Sequence, residues 1–261
     1  SGPPLKSIEV DAHLLKETGL VPKGVDLGEL TQQFQRIKRP ILNIAFGNST
    51  SDLENPNLVL IASALPGAGK TFCSFNLATS ISRERDYGVV LLDADVLKPS
   101  ISHAFGIEDQ PGLIDFLSHP RVALDDILVG TDLDDLVVIP AGSRHAEATE
   151  LLASRRMVDL MRAVAKRFPS HVILMDAPPL LLTNEAQVLA DRVGQIVLVV
   201  EAGVSTQDSL LQVLETLNRD KPINVIVNKA RGGGAGSYGY QYRGGYPALD
   251  DANTAKQEGA G

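Results

Sequence analysis

The chain has 261 residues, a formal net charge of −8 and an isoelectric point near 5.1. Because sequence-independent binding of nucleic acid needs a basic surface, this acidic balance argues against nucleic acid as a partner. No apolar run approaches the roughly 20 residues that cross a bilayer, and the single cysteine, Cys73, excludes an internal disulfide and is typical of a reducing cytoplasm.

The N-terminal part of the chain predicts an arm followed by a helix. Residues 1–26 carry Pro, Gly and mixed charge without a sustained period, and we expect at most a short helix near Asp11–Thr18. Residues 27–39 place apolar side chains at helical spacing, which predicts an amphipathic helix. Pro40 is expected to end it. Its basic end is either a solvated face or a contact surface and comprises Arg36, Lys38 and Arg39.

Residues 57–72, N-L-V-L-I-A-S-A-L-P-G-A-G-K-T-F, predict a buried strand, a glycine turn and the start of a helix. This is the arrangement of a phosphate-binding P-loop, in which backbone N–H groups and a helix N-terminus form a site for anions. The first glycine of the general pattern G-x-x-x-x-G-K-S/T is replaced by Ala64. The residues expected to bind the nucleotide are Pro66, Gly67, Ala68, Gly69, Lys70, Thr71 and Phe72.

Polar side chains follow three further apolar strands. Asp93 and Asp95 come after the strand at 89–92, Asp176 ends the strand at 171–176, and Asn228 follows the strand at 223–227. Since ligands bind at the carboxyl ends of strands in open α/β sheets, we expect these side chains to meet at one edge. An acid that ends a strand beside a P-loop is the Walker B arrangement for Mg²⁺. We expect the Asn228 amide to pair with a purine edge.

The remaining pattern alternates helices and strands, which implies parallel strands with right-handed crossovers. The predicted elements are a short helix and a strand within 112–142, one long helix at 147–167, a helix at 184–193, a strand at 195–201 and a helix at 206–218. The predicted fold class is therefore α/β: a P-loop NTPase-like, mostly parallel central sheet flanked by helices.

Residues 231–261 differ in composition from the rest of the chain, because they are rich in glycine and tyrosine. They begin R-G-G-G-A-G-S-Y-G-Y-Q-Y-R-G-G-Y-P. A segment so rich in glycine cannot bury enough apolar area to order itself. It is either a flexible linker or a tether that offers exposed phenols to a phosphate donor. The predicted organisation is an N-terminal arm at 1–26, a P-loop domain at 27–230 and a tail at 231–261. The candidate phosphate acceptors are Tyr238, Tyr240, Tyr242 and Tyr246.

These motifs together resemble the bacterial tyrosine autokinases of exopolysaccharide and capsule synthesis, over about residues 27–246. The resemblance rests on S-A-L-P-G-A-G-K-T, V-V-L-L-D-A-D-V-L-K-P (similar to the family's Walker A′), V-I-L-M-D-A-P-P (similar to its Walker B), T-E-L-L-A-S-R-R-M at 149–157 and the tyrosine-rich tail. With Q-R-I-K-R-P-I-L at 35–42, the chain is most similar to the stand-alone, exosortase-associated type.

The resemblance implies an ATP- and Mg²⁺-dependent tyrosine kinase that phosphorylates the tail of a neighbouring copy. Lys70, Asp93 and Asp95 would be the catalytic residues, with Asp93 accepting or orienting the phenol proton. The Mg²⁺ ligands would be Thr71, Asp95 and Asp176. The implied partners are a second copy of the chain, a separate inner-membrane polysaccharide co-polymerase that activates it, and a cognate tyrosine phosphatase. The implied location is the cytoplasmic face of the inner membrane.

Two departures from the family pattern stand out. Leu97, followed by Lys98, occupies the position where the Walker A′ sequence usually has an arginine. In the N-terminal helix, Gln33 and Gln35 stand where a glutamate and an arginine that mediate ring assembly would be expected.

Two other functions fit parts of the pattern. A partition or positioning ATPase of the deviant-Walker class shares the D-x-D motif and the sheet, but Leu65 occupies the position of that class's signature lysine. A non-catalytic nucleotide-binding regulator, whose tail recruits partners, would tolerate Leu97 and the two glutamines.

Overall fold

The computed structural model of the protein describes residues 5–21, 27–47, 53–218 and 220–230. No helix within these ranges has both the length and the apolar character needed to cross a membrane. The four tail tyrosines, at 238–246, lie outside the described residues.

A single sheet of eight strands organises the described part of the chain. Its strands are β1 (Lys6–Ile8), β2 (Leu58–Ala62), β3 (Gly88–Asp93), β4 (Val129–Thr131), β5 (Leu136–Ile139), β6 (His171–Asp176), β7 (Gln195–Glu201) and β8 (Ile223–Asn228). Their order is β1-β4-β5-β3-β6-β2-β7-β8, and every neighbouring pair is parallel except β4–β5. The mostly parallel sheet predicted from the sequence is confirmed.

Helices cover both faces of the sheet. They are α1 (Ala12–Glu17), α2 (Leu27–Phe46), α3 (Lys70–Ser82), α4 (Ser100–Ala104), α5 (Leu113–Ser118), α6 (Ala148–Ala153), α7 (Arg155–Arg167), α8 (Asn184–Ala190) and α9 (Gln207–Thr216). Side chains of α1 to α4 join the core on one face, and those of α5 to α9 join the core on the other. Because both faces are covered, all five residues of β2 are buried, as a near-continuous apolar strand predicts.

The expectation that Pro40 ends the second helix was wrong, because α2 continues to Phe46. Pro40 and Arg36, the residue whose carbonyl would have accepted its missing N–H, both lie on the exposed side of the helix. Ile41 and Ala45 carry the buried face onward against the P-loop helix. Burial of this apolar face therefore outweighs the lost hydrogen bond.

The expectation of one long helix at 147–167 was also wrong. Ser154 has extended backbone angles, φ −69° and ψ 161°, and divides the segment into α6 and α7. Its hydroxyl accepts a hydrogen bond from the Met157 N–H and donates one to the Leu151 carbonyl. A serine that caps a new helix in this way competes with helix continuation.

Three short elements, β1, β4 and α4, have no strong sequence signal and were not predicted. Strand β1 has three residues and pairs only through its parallel contact with β4, which is equally short. Helix α4 follows Pro99 and has five residues. By contrast, the short helix expected near Asp11–Thr18 is confirmed, with Asp11 accepting hydrogen bonds from the first N–H groups of α1.

Candidate functional site

The loop between β2 and α3 forms a turn that borders a concave cleft at the carboxyl edge of the sheet. Gly67 and Gly69 have φ of 88° and 89°, a left-handed backbone region that disfavours side chains. A Cβ on Gly69 would also lie 2.1 Å from the Asn228 side-chain nitrogen. Ser63 stabilises the start of the turn, because its hydroxyl donates to the Leu65 carbonyl at 2.7 Å. Both glycines are therefore needed for this loop conformation.

Lys70 is the first residue of α3, and its side chain is buried at the loop. Burial lowers the pKa of its ammonium, while the nearby charges of Asp176 and Asp95 oppose that shift. A cation held between two carboxylates at a helix N-terminus is well placed to meet phosphate oxygens.

Asp176 ends β6 beside the P-loop helix. In the sheet register it pairs with Asp93 of β3 on one side and Ile61 of β2 on the other. One carboxylate oxygen accepts the Ser74 hydroxyl at 2.9 Å, and the nearby Thr71 side chain also favours the charged form of this carboxylate. Burial raises the pKa of Asp176 to about 6, despite these two neighbours.

Asp93 is fully buried and is tied to α4. Its Oδ2 accepts both the Ser102 N–H at 2.7 Å and the Ser102 hydroxyl at 2.8 Å. The same hydroxyl accepts the Ala141 N–H at 3.0 Å. Burial, followed by the Asp176 charge, raises the pKa of Asp93 to about 8. Asp93 therefore lies next to the site but is not among the residues that line the open cleft beside the P-loop.

Asp95 is the half-buried carboxylate of the D-x-D pair, and it lines the cleft. Its Oδ1 accepts the Lys98 N–H at 3.2 Å, and burial raises its pKa. Leu97 and Lys98, at the position of the family's arginine, are both exposed and also line the cleft. The charge of Lys98 acts on both Asp95 and Lys70, so a cation is present there without a guanidinium fork.

The donor set fits a hydrated divalent metal. Asp93 Oδ1 and Asp176 Oδ2 are buried without a hydrogen-bond partner among the described residues, which is costly unless a further ligand satisfies them. Within the same ranges, no group of three His, Cys, Asp or Glu side chains forms a metal cage. Mg²⁺ needs no such cage, because it keeps several waters and uses one or two carboxylates plus substrate phosphates.

An open cleft of about 1700 Å³ extends from the P-loop. Six of the seven predicted nucleotide-binding residues of the loop segment line it, all except Ala68, which is buried. The ring of Phe72 meets Phe34 of α2 edge to face, with centroids 6.1 Å apart. The cleft is large enough for a nucleotide and a second group.

Asn228 and Lys229 approach the loop from the end of β8. The Asn228 amide donates to the Ala68 carbonyl at 2.8 Å, so the loop uses one of its two N–H donors. Its predicted pairing with a purine stays a prediction. Lys229, which sequence reasoning missed, donates to the Gly67 carbonyl at 2.7 Å. The only signal was a lysine directly after a strand, which does not specify a partner 162 residues away.

The three basic residues Arg36, Lys38 and Arg39, which lie in the middle of α2, have two different environments. Lys38 is buried, donates to the Ser80 carbonyl at 2.6 Å and pairs with Glu84 at 2.6 Å. Arg36, Arg39 and the two unexpected glutamines, Gln33 and Gln35, are exposed. Lys38 therefore belongs to the contact between α2 and α3, and only the arginines remain available as a surface.

Residues 55–129 match a family described as ParA: NUBPL iron-transfer P-loop NTPase. Tyrosine-protein kinase ptk of Acinetobacter johnsonii is 33% identical over 172 residues, which are 66% of this chain and 22% of that protein. Tyrosine-protein kinase YwqD of Bacillus subtilis is 27% identical over 212 residues, which are 80% of this chain and 85% of YwqD. The crystal structure of the VpsO kinase domain has 27% identity and a TM-score of 0.65, covering 79% of this chain and 98% of that domain. The chain is therefore similar to bacterial tyrosine-protein kinases in sequence and in fold.

The extent of these matches differs between relatives. The chain spans about a fifth of the length of the curated relatives it first matches, whereas it covers most of YwqD and nearly all of the VpsO kinase domain. The match to the bacterial tyrosine kinases confirms the resemblance inferred from the Walker motifs. The P-loop NTPase fold implies nucleotide binding with a divalent metal.

Proposed function

We propose that the protein is an ATP- and Mg²⁺-dependent protein-tyrosine kinase. Its acceptors are the tail tyrosines of a neighbouring copy, Tyr238, Tyr240, Tyr242 and Tyr246. The observation that carries this proposal is the convergence of Lys70, Asp95 and Asp176 around a loop whose glycines admit phosphates, in a chain similar to named tyrosine kinases.

Nucleotide binding would rest on the P-loop. The loop N–H groups and the N-terminus of α3 would hold the phosphate chain, and Lys70 would contact the β- and γ-phosphates. Pro66 and Phe72 would border the phosphates, and Asn228 would support the loop or meet the base. Phosphoryl transfer depends more on such positioning and charge neutralisation than on covalent chemistry with the protein.

Thr71, Asp95 and Asp176 would hold Mg²⁺, directly or through water. When bound, the metal would neutralise charge on the phosphates and offset the like charge of the three aspartates. A cation bound there would favour the charged form of Asp176 and so oppose the rise in pKa that burial causes.

Asp93 is the proposed acceptor, or orienting partner, of the phenol proton. A bond forms between the phenol oxygen and the γ-phosphorus, the bond to the β–γ bridging oxygen breaks, and ADP leaves. A phenol has an ordinary pKa near 10, so a nearby base assists its attack. Asp93 does not line the cleft, and with a pKa raised to about 8 it holds a proton at neutral pH in the nucleotide-free chain. Its proposed role therefore requires that a bound cation favour its charged form.

The domain organisation and partners remain part of the proposal. A kinase domain at 27–230 would act with an N-terminal arm at 1–26, whose β1 and α1 pack onto that domain, and with an acceptor tail at 231–261. Similarity to kinases of capsule and exopolysaccharide loci supports a separate inner-membrane polysaccharide co-polymerase as activator, a tyrosine phosphatase as antagonist, and a cytoplasmic position at the inner membrane. Each phosphorylated tyrosine would add roughly 1.5–2 negative charges, which should weaken contacts between acidic subunits.

Lys70→Met provides the direct test. Purified wild-type chain incubated with ATP and Mg²⁺ should gain phosphate on the tail tyrosines, detected by mass spectrometry, and Lys70→Met should lose at least about 100-fold in rate, since charge stabilisation of this kind contributes several kcal/mol. Lys166→Met, at an exposed position of α7, is the matched control and should retain activity. Undiminished tail phosphorylation by Lys70→Met would refute the assignment.

The similarity of residues 55–129 to the ParA family supports one alternative, a positioning-type ATPase. Leu65 at the signature-lysine position speaks against it. ATP hydrolysis without phosphotyrosine, unchanged after deletion of residues 231–261, would favour the ATPase over the kinase.

A further inference from the structure

The outer side of the phosphate loop is held by the end of β8. Lys229 Nζ donates to the Gly67 carbonyl at 2.7 Å, and Asn228 Nδ2 donates to the Ala68 carbonyl at 2.8 Å. Two consecutive carbonyls of the loop thus have side-chain donors from a segment about 160 residues further along the chain.

Peptide geometry gives these contacts a consequence for ligand binding. In a trans peptide unit the C=O and the following N–H point in opposite directions and rotate together, since the unit is planar. Holding the Gly67 carbonyl outward therefore turns the Ala68 N–H the other way, and holding the Ala68 carbonyl outward does the same for the Gly69 N–H. Hydrogen bonds to the carbonyls also polarise these amides and strengthen them as donors.

Lys229 has an acidic partner besides the loop carbonyl, although its side chain is 49% exposed. Its ammonium lies 3.2 Å from Glu201 Oε1, at the end of the neighbouring strand β7. Glu201 pairs with Asn228 in the sheet register, so the ends of β7 and β8 lie side by side. The backbone of Lys229 has φ 55°, a left-handed conformation that costs free energy for a residue with a side chain. Such strain persists only where surrounding contacts determine it.

We propose that Lys229, held by Glu201, is a positioning residue for the phosphate site: it orients the Ala68 N–H toward the bound phosphates, beside the Gly69 N–H that Asn228 orients. This inference rests on the nucleotide-binding part of the proposed function and adds to it a residue outside the Walker motifs. Lys229 touches the loop carbonyl and acts on the nucleotide only through that peptide.

The test compares Lys229→Met with Lys221→Met in the full chain. Lys221 lies at the other end of β8 and also donates to backbone carbonyls, those of Ala190 and Asp191, at 2.8 and 2.7 Å. Both substitutions remove a lysine that bonds main-chain oxygens, but only one of these oxygens belongs to the phosphate loop. Binding of ADP with Mg²⁺ is measured by isothermal titration calorimetry, and thermal unfolding is measured without nucleotide.

We expect Lys229→Met to weaken MgADP binding by about 5- to 10-fold, the scale of one ordinary hydrogen bond, while Lys221→Met leaves the dissociation constant within about 2-fold of wild type. Lys229→Arg, which keeps the charge and the donors, should restore most of the affinity. Glu201→Gln should give a smaller loss than Lys229→Met, because the bond to Gly67 remains.

Equal MgADP affinity in Lys229→Met and Lys221→Met, at similar thermal stability, would overturn the inference. So would a loss in Lys229→Met that Lys229→Arg does not reduce at all. The kinase proposal is tested separately: a wild-type chain that binds MgADP but forms no phosphotyrosine refutes the kinase activity and leaves this comparison of affinities valid.

Discussion

At the scale of single residues, the site concentrates acid groups that the fold keeps out of water. Asp93 and Asp176 are fully buried on adjacent strands, and burial raises the pKa of both. Such raised values are typical of functional sites, because a structure optimised for stability alone would not bury two neighbouring carboxylates. In the proposed kinase, a bound metal and nucleotide would offset this cost.

Asp93→Asn should change the pH dependence of stability. Below pH 3.8, the ordinary pKa, Asp93 is protonated whether the chain is folded or unfolded; between there and about 8 the folded chain keeps a proton that the unfolded chain releases. Wild-type stability therefore falls as pH rises through this window, and Asn, which has no such proton, removes that loss. We expect the variant to gain on the order of a few kcal/mol over wild type between pH 5 and pH 8.

Urea unfolding of the metal-free protein at several pH values measures this gain. Asp86→Asn, at an exposed position, is the control and should follow the wild-type pH profile. A constant difference between Asp93→Asn and wild type across the range would contradict a raised pKa for Asp93. The variant should at the same time be poorer in phosphotyrosine formation, since it lacks the proposed proton acceptor.

At the scale of elements, helix α2 shows how packing overrides a local signal. Pro40 lies in the helix interior, where it removes a donor, yet the helix continues because Ile41 and Ala45 bury the same face that Phe34 begins. The buried Lys38, bonded to the Ser80 carbonyl and paired with Glu84, fastens the helix to α3. Helix α2 thus supports the P-loop helix from behind.

Pro40→Ala should stabilise the protein by about 1–3 kcal/mol, because alanine restores the hydrogen bond to the Arg36 carbonyl and has the best helix propensity. Chemical denaturation gives the free energy of unfolding. Gln35→Ala, an exposed substitution in the same helix, should stay within about 0.5 kcal/mol of wild type. A loss of stability in Pro40→Ala would show that the packing of Ile41 and Ala45 depends on the proline.

At the scale of the whole molecule, the sheet gathers motifs that are far apart in sequence. Strands β3, β6 and β2 are neighbours in the sheet. Asp93, Asp176 and the phosphate loop therefore meet, although more than 100 residues separate the loop from Asp176 in the sequence. Strand β8, at the edge of the sheet, adds the contacts of Asn228 and Lys229. The site is therefore a property of residues 58–229 taken together.

Deletion of residues 231–261 should leave MgADP affinity and the free energy of unfolding unchanged, because the described core and site lie before residue 231. Tail phosphorylation should then be recovered in a mixture: tail-deleted chain supplies catalysis, and full-length Lys70→Met supplies the acceptor tyrosines. Mass spectrometry of the Lys70→Met chain detects transfer between copies. An absence of phosphate on it, with wild-type chain active, would contradict phosphorylation between subunits.

Local patterns in the sequence were sufficient for the framework of the site. Residues 57–72 predicted a buried strand, a glycine turn and a helix start, and the structure has β2 at Leu58–Ala62 and α3 from Lys70, because apolar runs and glycine turns act within a few residues. The aspartates that follow β3 and end β6 were predicted to share an edge, because parallel strands place their carboxyl ends together.

Only the tertiary structure decided what depends on distant partners. It buried Asp93 beneath the cleft while leaving Asp95 facing it, and it brought Lys229 to the Gly67 carbonyl. In the tertiary structure, helix α2 also continues past Pro40, and the short strand β1 pairs with β4. In each case the deciding free energy comes from burial or a hydrogen bond supplied by another part of the chain, so a local pattern alone cannot specify the result.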